Sequence, residues 1–128
     1  MKEVLAIIRM NMINKTKEAL LQEGFESLNC RKVAGRGKKK VDYTLIEQII
    51  SNEADISSPS TAEVISEGHR LVPKRLISLV VKDDEVKKVV ETIINANSFG
   101  KPGDGKIFVM PVADAVRVRT GEAGEAAI

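Results

Sequence analysis

Aromatic residues are scarce in this 128-residue chain: three Phe, one Tyr and no Trp. A surface that stacks successive bases of a single strand needs several exposed rings, so no nucleic-acid partner of that kind is expected. There is one cysteine, Cys30, and one histidine, His69. An internal disulfide is excluded, a His/Cys zinc site cannot be assembled, and the thiol count fits a reducing, cytoplasmic setting. Cys30 sits in an alternating run and is expected to be a buried, inert thiol and not a nucleophile. No apolar run approaches bilayer-spanning length, so no stable membrane insertion is expected. The start of the chain, with Glu3 and few apolar residues before Arg9, does not read as a signal peptide. Neither sign of charge dominates: 20 Lys and Arg against 18 Asp and Glu give a net charge of +2, which argues neither for nor against a polyanionic partner.

What the chain does contain is the stretch Gly100-Lys101-Pro102-Gly103-Asp104-Gly105-Lys106, followed by the apolar run Ile107-Phe108-Val109-Met110. Three glycines and a proline in six positions make a tight loop whose backbone can approach a ligand closely. Converging N–H groups in such a loop form a concave anion site, and a lysine at its edge supplies countercharge to phosphate. Eleven residues past Lys106, Arg117-Val118-Arg119 offers two more guanidinium groups, and spacing of i and i+2 on a strand points both to one side. Gly35-Arg36-Gly37-Lys38-Lys39-Lys40 is a second glycine and cation cluster, either anion-facing or simply solvated.

In order, residues 4–9 read as a buried strand, and Asn14 as the N-cap of a helix over 15–23 that Gly24 terminates at C′. Residues 28–33 alternate as a second strand. From 41 to 69 regularity is lost: Leu45, Ile46, Ile49 and Ile50 have helical spacing, and 51–66 is small and polar. This reads as a long projecting loop, 38–72. A strand follows over 75–81. Asp83 or Asp84 then caps a helix with Val86, Val89, Val90, Ile93 and Ile94 on one face. A strand over 106–112 and a short fifth strand over 115–120 complete the chain. The repeated β-α-β order predicts one α+β domain over 1–128. It is a ferredoxin-like βαββαβ sandwich, with both helices on one face of a four-stranded antiparallel sheet. The other face, apolar along 76–81, predicts closed self-association.

These residues resemble the PII (GlnB-like) nitrogen-signalling proteins. The likeness is carried by Gly103-Asp104-Gly105-Lys106-Ile107-Phe108-Val109, Arg117-Val118-Arg119-Thr120-Gly121-Glu122 and the ending Ala126-Ala127-Ile128. Ala6-Ile7-Ile8-Arg9, Gly35-Arg36-Gly37 and Pro73-Lys74 add to it. The resemblance covers the chain apart from about 41–69. It implies a trimer, homomeric or mixed with a sister PII-like protein, holding ATP or ADP between neighbours. Gly103, Asp104, Gly105, Lys106, Arg117 and Arg119 would bind the nucleotide at its phosphates, Gly35, Gly37 and Lys38 would close the cleft at the loop base, and the Val80 backbone would lie at the adenine. Lys39, Lys74 and Gly37 would meet 2-oxoglutarate, which binds in such proteins beside MgATP. Lys39 stands where the family commonly has Gln; a protonated lysine can contact the oxoacid but cannot ligate Mg²⁺. Ser78, Asn29 and Phe99 also replace frequent family residues, and Glu67 stands where some members carry a modified tyrosine.

The loop is longer than in ordinary members, as in the nitrogenase-associated relatives, and the chain resembles the longer-looped of two sister proteins there. That resemblance implies a regulator that inhibits nitrogenase through loop contacts such as Tyr43, Leu45, Ile46, Ile49 and Ile50. Control of an ammonium channel or another nitrogen-assimilation target is the alternative; the nearest loop arginine, Arg70, lies at the loop base and not its tip. An ATP-hydrolysing enzyme is disfavoured because neither His69 nor Asp104 makes a convincing general base.

Overall fold

A computed structural model describes residues 1–37 and 71–128. The elements run β1 (Lys2–Arg9), α1 (Ile13–Gln22), β2 (Asn29–Gly35), β3 (Val72–Val81), α2 (Val86–Asn97) and β4 (Gly105–Pro111). The strands form one antiparallel sheet in the order β2-β3-β1-β4, the expected ferredoxin-like α+β arrangement. Strand β1 has a neighbour on each side, β3 and β4, while β2 and β4 are the edges.

The core lies between the sheet and the helices. Val4, Ala6 and Ile8 of β1 and Ile77, Leu79 and Val81 of β3 meet Leu20 of α1 and Val89 and Ile93 of α2. The alternation is that of a half-buried sheet, odd positions of β1 turning away from the helices and even ones toward them. Each fully buried aliphatic side chain contributes roughly 1.5–3 kcal/mol from burial alone. On α2 the buried stripe runs through Val89, Ile93, Ala96 and Asn97, so the apolar face is rotated from the one expected and Ile94 is half exposed. Asn97 bridges the helices inside the core: its Nδ2 donates to Thr16 Oγ1 and to the Ile93 carbonyl, each at 2.9 Å.

Gly24 ends α1 as expected. Its φ is +91°, its N–H reaches the Leu21 carbonyl at 3.0 Å, and Phe25 N–H reaches the Leu20 carbonyl at 2.9 Å. That pair of bonds is a Schellman termination. The helix starts differ from expectation. A 3-10 turn over Met10–Met12 leads into α1 at Ile13, which leaves Asn14 inside the first turn and not at the cap. A second turn, Asp83–Glu85, precedes α2; the Lys82 N–H is taken by Glu85 at 3.0 Å, and neither Asp83 nor Asp84 caps the helix. Strand β3 begins at Val72, paired with Gly35, so the expected loop boundary at 72 moves inward. Cys30 is exposed and not buried, because β2 is an edge strand that the helices leave largely uncovered.

The second sheet face carries Leu5, Ile7, Leu76, Val80, Phe108 and Met110, none of them fully buried and the last three exposed. Among the described residues no helix is long and apolar enough to cross a membrane. Replacing Ile93, 1 % exposed, by Ala should lower stability by about 2–5 kcal/mol. This would be read as a lower denaturant midpoint at unchanged slope; an unchanged midpoint would show that Ile93 does not pack in the core.

Candidate functional site

At one end of the sheet β1 stops where β3 and β4 begin. Arg9 stands opposite Lys74, Val33 lies on the other side of Lys74, and Ile7 stands opposite Lys106. Residues directly opposite share a face, so Arg9, Lys74 and Lys106 all rise from the face without helices. The loop of residues 98–104 lies across this cationic end. Lys74 Nζ donates to the Gly103 carbonyl at 3.0 Å.

Asp104 organises the loop. Its Oδ1 accepts from Arg9 Nη1 at 2.5 Å, and its Oδ2 accepts from the backbone N–H groups of Phe99 at 2.8 Å and Lys101 at 3.3 Å. The Asp104 N–H returns to the Lys101 carbonyl at 3.2 Å. Arg9 adds Nη2 to the Pro102 carbonyl at 3.5 Å and lies 5.5 Å from the Phe99 ring centroid. The Arg9 hydrogen bond, seconded by the two backbone N–H groups, lowers the Asp104 pKa to about 2. The carboxylate is therefore spent inside the loop, as a turn-stabilising group.

Gly100, Gly103 and Gly105 have φ of +72°, +99° and +131°. Gly105 is constrained twice: its φ is one that other residues rarely adopt, and a Cβ there would overlap the Ile7 carbonyl oxygen. The first residue of β4 can thus lie against β1 only as glycine. Behind it, on the helix side, Ile8, Ile93, Asn97, Gly105 and Ile107 line a cavity of about 310 Å³.

The C-terminal arginines are placed otherwise than expected. Residues 115–120 do not form a fifth strand; one bridge, Val116 to Ala123, is all the strand pairing there. The reason is local. The Gly121 N–H bonds the Arg117 carbonyl at 2.7 Å and the Arg117 N–H bonds the Glu122 carbonyl at 2.8 Å, so the chain reverses at 118–120. Arg117 pairs with Glu122 at 2.5 Å and donates to the Ala126 carbonyl at 2.9 Å. Arg119 sits in the turn, so the shared strand face expected for the two arginines does not exist. Among the described residues no hydrogen bond or ion pair joins 114–128 to the glycine loop. Strand β4 carries the chain roughly 20 Å away from that loop before the segment begins.

Gly35 ends β2 opposite Val72, with Gly37 two residues on. Val80 is on the open face, six residues along β3 from Lys74 and so roughly 20 Å away. Lys38, Lys39, Tyr43, Leu45, Ile46, Ile49 and Ile50 lie outside the described residues. Arg9 and Phe99 are the residues whose part in the site sequence reasoning missed; 95 positions separate Arg9 from Asp104, and no local pattern announces the pair. Among the described residues no three His, Cys, Asp or Glu side chains converge to hold a metal.

Residues 1–122 match the family model described as nitrogen regulatory protein P-II. A protein of Methanobacterium ivanovii named nitrogen fixation nifHD region GlnB-like protein 2 is 49% identical over 128 residues, all of this chain and 99% of that protein. A protein of the same name from Methanothermobacter marburgensis is 45% identical over the whole of both. The crystal structure of Arabidopsis thaliana PII bound to citrate superposes with a TM-score of 0.72 at 34% identity, covering 99% of this chain and 91% of that one.

Two outcomes follow from the loop geometry. Gly105→Ala should cost on the order of 1–3 kcal/mol in backbone strain and detach the start of β4 from Ile7. Chemical denaturation and the Gly105 region of an NMR spectrum would show it, and wild-type values for both would refute the close approach. For pH, Asp104 is a carboxylate whose folded pKa is depressed, so its contribution is complete above the ordinary value of 3.8 and disappears as pH falls through about 2. A carboxyl titration followed by NMR should find the group ionised at pH 3; a midpoint near 4 would mean that Arg9 does not hold it.

Proposed function

The chain belongs to the nitrogen regulatory protein P-II family, and on that premise we propose that it is an ATP/ADP- and 2-oxoglutarate-responsive regulator that inhibits nitrogenase through its long loop. The observation that carries the reading is the glycine loop. It is held over a cationic sheet end, its backbone fixed by Asp104 and Lys74, with Lys106 on the adjoining open face. Charge-assisted hydrogen bonds from such groups suit a polyphosphate, each about twice as strong as a neutral one. Gly103, Gly105 and Lys106 would meet the phosphates, and Gly35, Gly37 and Lys38 would close the cleft from β2. The Val80 backbone would lie at the adenine.

The arginines enter from a neighbour. Arg117 and Arg119 stand on a segment that leaves the far end of β4, so in a closed oligomer they would serve the next subunit's loop. The apolar open face supports such self-association, as a homotrimer or a mixed trimer with a sister protein. Lys74, and Lys39 from the loop root, would bind the oxoacid carboxylates. Mg²⁺ would come with the nucleotide, held mainly by phosphate oxygens. Asp104 has both oxygens engaged, one by Arg9 of β1 and the other by backbone N–H groups of the loop, which supports regulation and not hydrolysis. The nitrogenase target rests on the full-length likeness to nifHD-region proteins, and the setting is cytoplasmic.

Calorimetric titration with MgATP, then with 2-oxoglutarate on the nucleotide-loaded protein, should show tight oxoacid binding only in the second case. No nucleotide binding would overturn the reading. Removal of residues 50–66 should abolish inhibition of nitrogenase while leaving MgATP affinity in place; full inhibition by the shortened chain would remove the loop from the mechanism.

A further inference from the structure

Arg9 is the cation most closely applied to the glycine loop, and its geometry is not that of a ligand waiting for an anion. One arm of the guanidinium faces Asp104 Oδ1, the other faces the Pro102 carbonyl, and the Phe99 ring lies 5.5 Å away. The second carboxylate oxygen of Asp104 receives the N–H groups of Phe99 and Lys101. One carboxylate thus ties the end of β1 to the start of the loop, while the Pro102 contact fixes the loop's middle. Two backbone amides and a guanidinium share one acceptor, and a carboxylate that would otherwise repel a phosphate is neutralised where it stands.

We infer that Arg9 is a positioning residue: acting through Asp104, it holds the 99–105 backbone in the shape a phosphate group meets, and it is not itself a phosphate ligand. The inference rests on the phosphate reading of the loop. A guanidinium is required because a planar fork can address the carboxylate and a backbone carbonyl together while lying beside a ring; an ammonium is a point donor without that geometry. Without the clasp, a loop with glycines at 100, 103 and 105 regains backbone freedom that must be lost again on binding.

The sign of one substitution separates positioning from simple charge attraction. Asp104→Asn removes a negative charge beside a polyanion, so electrostatics alone predicts tighter MgATP binding. The clasp predicts weaker binding. Calorimetry on the full chain should show MgATP affinity falling by about tenfold for Arg9→Met and for Asp104→Asn. The double variant should be no weaker than the worse single one, because both break one unit, and Arg9→Lys should fall in between. Unchanged or tighter binding by Asp104→Asn, or losses that add in the double variant, would overturn the inference. Should the wild-type chain bind no MgATP, the phosphate reading fails separately, and amide exchange in the ligand-free protein decides the clasp. Exchange at Phe99 and Lys101 at least about tenfold faster in Arg9→Met than in wild type supports it, and equal rates overturn it.

Discussion

The close approach of Gly105 to the Ile7 carbonyl fixes where the rest of the glycine-loop end of the sheet can lie. Strand β1 is paired along both edges, so the Ile7 peptide has little freedom to retreat. The start of β4 must come to it, and only a residue without Cβ can do so at φ +131°. Once Gly105 is placed, Lys106 is committed to the open face opposite Ile7, and the preceding loop has to pass over Arg9 and Lys74. Behind this junction Ile8 and Ile93 belong to the buried core and also line the cavity on the helix side.

Electrostatics builds on that placement. Three cations share one end of the open face, an arrangement that costs free energy until anionic or carbonyl groups answer it. The protein answers part of it internally, with Asp104 against Arg9 and the Gly103 carbonyl against Lys74. Both internal partners belong to the glycine loop, so the charges that would draw an anion also define the shape of the loop that would receive it. On the proposed reading, loop order and anion affinity would be coupled through the same few atoms. Any ligand that competes for Lys74 would act on Gly103 directly.

The C-terminal segment obeys a different, local logic. Its glycines at 121 and 124, both with positive φ, turn the chain back on itself, and Asp114 accepts from Ala115 and Gly124 to close the base. Arg117 is thereby oriented by Glu122 and the Ala126 carbonyl before any partner is met. A segment that is ordered by itself and begins far from its own glycine loop is suited to act on a second copy of the chain.

The order of strands and helices, the Gly24 terminus of α1, the glycine loop and the apolar open face were all legible in the sequence. Each is set by local periodicity or by the backbone freedom of a single residue. The family followed from a resemblance to known proteins carried by the glycine loop and the arginine pair, and not from periodicity. What the sequence misplaced was decided by tertiary contacts. Cys30 is exposed because β2 became an edge, and the buried stripe of α2 turned toward Asn97 because Thr16 waits there on α1. The expected fifth strand is the exception, since it yielded to a local turn closed at Gly121. The Arg9–Asp104 clasp was invisible because it too is a tertiary contact. Two residues 95 positions apart have no shared period, and only the packing of β4 beside β1 brings their charges into contact.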